Sequence, residues 1–303
     1  MQFIFSYFLV FHFREKTFIL QYLISALKQI TPVQFDGYMQ SGGSTKPWKV
    51  FCISQPDDIS GEFIELPYVV KVFTENHIRQ GFSIAKEFIC NLLAIEFDLI
   101  VPKAYLVDLQ EENFKETLNK DCKQDLSLKH KGLTFASRLL DLTIYNEQIT
   151  VPSLNIADCA LLFAFDCLIL NTDRGGYRNK PNLLVDDDSF VLIDHELALY
   201  ILDNPNSLAL NNIIELMKTG NWVSFYEKHI FYKKLKRYRN KAGLFDTFEE
   251  SLRTLNIGKI KTLVAYLQYN GIDVGASEIL FEYLRKLKKD AHQFSRILSS
   301  LIA

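Results

Sequence analysis

"NTDRGGYRNKPNLLVDDDSFVLIDHE", residues 171–196, holds the densest group of polar side chains in the sequence, and it lies beside strongly apolar stretches. "SLNIADCALLFAFDCLILN" (153–171) has the period and length of a buried helix. Asp173 follows it in a loop, Asn182 opens the strand "NLLV", and Asp194 closes the strand "FVLID". The tip Asp186, Asp187, Asp188 and Ser189 reads as a solvated turn that folds one strand back on the other. That hairpin brings Asn182 and Asp194 to one end. Hard oxygen ligands on a rigid hairpin suit a magnesium ion bridging phosphates, and a nearby carboxylate, Asp173, suits acceptance of a proton from an attacking hydroxyl. Taken singly, each has an ordinary reading: Asp173 and Asn182 as turn residues, Asp194 as a helix cap.

The preceding half supplies complementary pieces. In "YVVKVF" (68–73) alternation places Val69, Lys71 and Phe73 on one strand face. A lysine there is costly to bury without an anion. Residues 82–97, "FSIAKEFICNLLAIEF", read as an amphipathic helix whose Glu87, and less well Glu96, is placed to hold Lys71 by an ion pair. Upstream, "SGGSTKP" offers Gly42 and Gly43 for close backbone approach, Ser44 and Thr45 hydroxyls for phosphate oxygens, and Lys46 beside them. No helix follows this turn, so it is not a Walker loop.

The remaining elements outline the fold. "ILQYLISALKQI" (19–30) has helical spacing, "KVFCIS" and "EFIELPYVVKVFT" read as strands, and "DLIVPKAYLVDL" and "GLTFASRLL" as two more. The Lys- and Glu-rich stretch 110–131 reads as a hairpin excursion. Segments 206–219, 221–240, 246–270 and 276–301 read as helices. The class is therefore α+β and two-lobed: an N-terminal extension (1–32), a small β-rich lobe with one main helix (33–138), and a helical lobe (139–303).

Composition narrows the classes. With 303 residues, 48% of them hydrophobic, and 24 Phe, the chain can bury a large core. Its net charge of −2 argues against a general nucleic-acid coat. Five scattered cysteines with no C-x-x-C pair favour a reducing cytosol over a disulfide framework or structural zinc site. The apolar run 3–13 is about half of what a bilayer requires and lacks signal-peptide features; it is expected to be an added packing element or the product of an upstream start codon, with a membrane-surface contact as the lesser alternative, and no membrane span is expected. The run "KHIFYKKLKRYRNK" (228–241), with seven Lys/Arg and interleaved aromatics, is either a solvated face or a grip for nucleic acid or an acidic partner.

The order small-residue turn, lysine strand, glutamate helix, strand, then Asp, Asn and Asp follows the parts of a protein kinase. It resembles the HipA-like branch of that superfamily, carried by "SGGSTKP", "YVVKVF", "AKEFICNLLAIEFDLIVP", "NTDR", "KPNLL" and "LIDHELAL", over residues 42–199. The resemblance implies an ATP- and Mg²⁺-dependent phosphotransferase, in the first place a protein serine/threonine kinase. It implies that Gly42 to Lys46 cover the triphosphate, Lys71 contacts the α- and β-phosphates, and Glu87 orients Lys71. Phe135, Ala136 and Ser137 would offer backbone to adenine, Asp173 would be the catalytic aspartate, and Asn182 and Asp194 the metal ligands. HipA-like proteins are associated with toxin–antitoxin systems. A small-molecule or lipid-headgroup kinase of the same fold, and a nucleotide-binding pseudokinase acting as an interaction module, are the alternatives. The loop departs from D-x-x-x-x-N, because Asn179 is 179 − 173 = 6 positions and Asn182 is 182 − 173 = 9 positions after Asp173. Asn182 is the choice, since Pro181 restricts the backbone before it and the following strand fixes it beside Asp194.

Overall fold

Five strands close on themselves in the computed structural model, which describes residues 27–39, 45–54, 64–147, 154–175, 180–187, 189–204, 206, 210–219 and 226–303. They are β1 (Gln29–Tyr38), β2 (Trp48–Ser54), β3 (Ile64–Val70), β4 (Ala104–Val107) and β5 (Thr134–Arg138), in the order β1-β2-β3-β5-β4. A parallel pairing of β1 with β4, Gln29 opposite Leu106 and Ile30 opposite Val107, closes the barrel. Closure leaves no unpaired edge in this sheet. Trp48, Val50 and Cys52 alternate into the interior, as do Tyr68, Val70 and Val72. That register puts Lys71 on the opposite face of its segment. The α+β class read from the sequence holds.

The chain divides into two compact units: 1–72, 104–138 and 258–272 form the first, and 73–103, 139–257 and 273–303 the second. In the first unit, the stretch expected to be a hairpin excursion is instead two short helices, Glu112–Thr117 and Lys120–Ser127. Phe114, Leu118, Cys122 and Leu126 recur every fourth residue and enter the barrel core, a helical stripe hidden among charged neighbours. Asn119 caps the second helix, its Oδ1 accepting from Cys122 N at 2.9 Å. Ile30, expected on a helix, is a β1 residue; the rest of that expected helix before Leu27, and the apolar run at 3–13, lie outside the described residues.

The second unit is largely helical. Ser83–Glu96 and Ile156–Leu168 are its buried helices, and Phe97 stacks on Phe248 and meets Phe165 at a tilt. A three-stranded sheet, β6 (Thr143–Ile144), β7 (Leu183–Val185) and β8 (Phe190–Leu192), contains the expected hairpin and a short third strand. The expected helix 246–270 is two, Asp246–Thr254 in this unit and Ile257–Tyr269, which falls almost wholly in the first, because the backbone leaves the helical conformation at Leu255 (φ −43°, ψ 125°). Likewise Asp290 separates Ser277–Lys289 from Ala291–Leu301. Within 206–219 and 221–240 the described helices are short, Ile213–Lys218 and Tyr232–Arg237. Among the described residues, no helix is long and apolar enough to cross a membrane.

Candidate functional site

The helix Ile156–Leu168 starts with a capping box, in which Asn155 Oδ1 accepts from the backbone of Ala157 and Asp158. Its apolar body carries one buried acid, Asp166, 1% exposed. A lone carboxylate there would be costly, but Asp166 accepts four hydrogen bonds. Asn171 Nδ2 donates at 2.9 Å, Arg174 Nε at 2.5 Å and Nη2 at 3.3 Å, and His229 Nε2 lies at 2.9 Å. Burial pushes the Asp166 carboxyl up, and the Arg174 guanidinium with the His229 hydrogen bond outweighs it, holding the group well below the usual carboxylate range. Burial likewise lowers His229 from its ordinary value, against the opposing pull of Asp166.

Asp173 and Asn182 meet above this base. Asp173 N donates to Asn171 Oδ1 at 3.0 Å, and Asn182 Nδ2 donates to Asp173 Oδ2 at 3.0 Å. Both residues are buried. Gly175 N donates to Lys180 O at 2.6 Å. Gly175 has φ +96°, and a Cβ there would stand 2.4 Å from Lys228 O, so no other residue fits without backbone movement. Asn182 has φ 45°, a conformation asparagine tolerates better than most. Its carbonyl accepts from Ile193 N at 3.2 Å, which extends the β7–β8 pairing and places Asn182 at the same hairpin end as Asp194. Asn179, the rival ligand, lies outside the described residues.

Beyond the hairpin, Asp194 also takes a left-handed conformation (φ 64°). Carboxylate oxygens of Glu87, Asp194 and Glu196 lie within 4.8 Å of one another, with Glu87 and Glu196 buried. Like charges so close favour a shared cation, and hard oxygen donors suit magnesium. The donor set therefore fits a divalent ion. Between the two acids of the hairpin end, His195 N donates to Glu87 Oε2 at 3.2 Å.

The first unit holds the other expected residues. Lys71, 7% exposed, donates its backbone N–H to Phe135 O at 2.9 Å, and Thr134 Oγ1 donates to Lys71 O at 2.6 Å. Val69 pairs with Ser137 and Val70 with Ala136. Thr45 is buried and Lys46 takes φ 43°; Gly42, Gly43 and Ser44 lie outside the described residues. Thus the structure joins Asp173 to Asn182, gathers Glu87, Asp194 and Glu196, and sets Lys71 against Phe135. Glu96, the weaker alternative, is half-buried at the end of its helix.

Sequence reasoning missed Asp166, Asn171, Arg174 and His229. One signal was present, an acid inside "LLFAFDCLIL", which demands a buried partner. His229 was hidden in the basic run 228–241. In that run Phe231 and Tyr232 are buried, Phe231 against Tyr145 and His229, so these two rings are not available to stack on bases. Lys234, Lys236 and Lys241 bond Leu154 O, Tyr232 Oη and Ile302 O.

A family model described as HipA-like kinase matches residues 65–256. Among solved structures, the crystal structure of the Helicobacter pylori proinflammatory kinase CtkA is similar over 90% of this chain and 98% of its own, at 13% identity and a TM-score of 0.44. A search of curated proteins finds no match.

Proposed function

The chain belongs to the HipA-like kinase family, which it matches over residues 65–256 of 303, and from this premise we propose that it transfers the γ-phosphoryl group of ATP, with Mg²⁺, to a serine or threonine hydroxyl of a protein. The observation that carries the reading is the buried pair Asp173–Asn182 at the end of the hairpin that also presents Asp194. A protein that only bound nucleotide would have no physical use for a fixed, buried Asp173 carboxylate.

On this reading Asp173, with Oδ2 held by Asn182, orients the acceptor hydroxyl and takes its proton at Oδ1. Asn182 and Asp194 hold the metal, with Glu87 and Glu196 adding negative charge around Asp194. Bound magnesium supplies neutralisation of phosphate charge. Lys71 contacts the phosphates, Thr45 and Lys46 with Gly42, Gly43 and Ser44 cover them, and Val69 and the backbone of Phe135, Ala136 and Ser137 receive the nucleotide. The two-lobed arrangement of a kinase belongs to the same proposal.

The direct test incubates the purified protein with labelled ATP and cell lysate. Label in protein bands, mapped to Ser or Thr by mass spectrometry, is expected. Label in small solutes alone would instead make this a small-molecule kinase, and ATP binding without transfer an interaction module.

Two variants separate metal binding from chemistry. Asp194→Asn replaces a charged ligand by a neutral one and should weaken Mg-dependent nucleotide binding by about tenfold; wild-type affinity in calorimetry would remove Asp194 from the ligand set. Asn182→Ala should cost roughly tenfold or more in rate and raise the magnesium concentration needed for half-maximal activity, whereas Asn179→Ala should change little. Rate measurements across a magnesium titration decide between them, and the reverse ranking would move the ligand to Asn179.

A further inference from the structure

Arg174 is 1% exposed, and the mechanism above gives it no part. Yet each of its donors has an acceptor. Nε and Nη2 grip the two oxygens of Asp166 at 2.5 and 3.3 Å. Nη1 reaches Pro181 O at 3.4 Å and also bonds Asn182 O. The second Nη2 hydrogen points to His195 Nε2 at 3.3 Å. Five donors in a planar fork match these acceptors, and arginine offers no acceptor of its own. His195 Nε2 must therefore accept, which leaves its ring proton on Nδ1, 4.0 Å from Glu87 Oε2.

The acceptors come from separate stretches of chain. Asp166 belongs to the helix before the loop, Pro181 and Asn182 to the loop's end, and His195 stands between Asp194 and Glu196. Asp166 in turn holds Asn171, whose Oδ1 fixes the backbone of Asp173. One buried cation is thus bonded directly to the segments bearing Asn182 and Asp194, and through Asp166 and Asn171 to the backbone of Asp173.

We propose that Arg174 is the positioning residue of the transfer site: its guanidinium sets the spacing of Asp173, Asn182 and the 194–196 segment, with Asp166 as its fixed counter-charge. The inference rests on the phosphotransferase reading. It requires the geometry of the fork as well as the charge, because an ammonium is a compact charge with three donors and cannot meet five acceptors in one plane.

The test pairs steady-state kinetics with hydrogen exchange on the full chain. Arg174→Lys keeps the charge beside Asp166. It should lower kcat on the order of 10²-fold, the cost of misplacing reacting groups by about an ångström, while KM for ATP stays within about threefold. Amides of Gly175 and Ile193, bonded to Lys180 O and Asn182 O, should exchange faster, and those of the helix Ser277–Lys289 should not. Where Arg174→Lys does not fold, the paired variant Arg174→Gln with Asp166→Asn removes both buried charges together and strands neither; it should show the same kcat loss and the same local exchange. Transfer within about threefold of wild type, or unchanged exchange at Gly175 and Ile193, overturns the proposal. A wild-type protein that phosphorylates nothing would strike the functional reading instead, and the exchange experiment alone would then decide whether Arg174 fixes the loop.

Discussion

On the proposed function, Asp173→Ala is expected to abolish phosphoryl transfer, a loss of roughly 10²- to 10⁴-fold at saturating ATP, the range for removing a positioned proton acceptor. Its affinity for Mg-ATP should stay within a few-fold of wild type, since the proposed phosphate and metal contacts are other residues. The variant also deprives Asn182 Nδ2 of its acceptor, a buried donor left unsatisfied at a cost of about 1–3 kcal/mol. Asp173→Asn controls for this because it preserves shape and one oxygen. It should fold as well as wild type and still fail in transfer. Single-turnover assays with labelled ATP, together with calorimetry, measure both quantities. Retention of most of the wild-type rate by either variant would remove Asp173 from the chemistry.

How far such a site can be read from sequence depends on where each residue's partner lies. The proximity of Asn182 and Asp194 was legible because they flank two short apolar strands, and a hairpin fixes the proximity of its own ends; Asp173 stood out as a carboxylate in the loop after a buried helix. Asp166 and His229 were not. They are 63 residues apart, and nothing local in "KHIFYKK" distinguishes a buried histidine from one more polar group on a solvated face. Nothing in "NTDR" itself shows a role for Arg174, since its acceptors are two backbone carbonyls, a carboxylate and a ring nitrogen from separate stretches.

The fold divides in the same way. β2, β3 and the helix Ser83–Glu96 follow regular apolar periods and were expected where they occur. β1 escaped because register shifts at Pro32/Gln34 and Phe35/Gly37 break its alternation. Its pairing with β4, which closes the barrel, joins residues more than seventy positions apart. The helices at 112–127 escaped because their buried face is one residue wide in a stretch otherwise charged. The long helices expected at 246–270 and 276–301 were drawn through Leu255 and Asp290, whose backbone angles no periodicity reports.

The largest effect on stability is expected at Asp166. Asp166→Ala leaves the Arg174 guanidinium buried without its counter-charge and takes an acceptor from both Asn171 and His229. Breaking a buried pair from one side costs roughly 3–5 kcal/mol, on the order of 10 °C in midpoint for a chain of this size. Asp166→Asn keeps an oxygen for one donor and should lose less. The same network fixes the acid side of the stability profile. Asp166 is held below its ordinary value of 3.8, so its contribution is complete above that pH and is lost as pH falls through the lower, folded value. His229 is lowered from 6.5 by burial, so below that pH the unfolded chain binds a proton that the folded chain resists, and stability declines with acid there too. Both slopes have the same sign but different windows. His229→Gln should flatten the decline just below pH 6.5 and leave the one below 3.8 in place. Urea melts of the three variants and wild type, at neutral pH and at steps below it, measure every term. An Asp166→Ala protein within about 1 kcal/mol of wild type at neutral pH would show that the buried ion pair does not hold this loop.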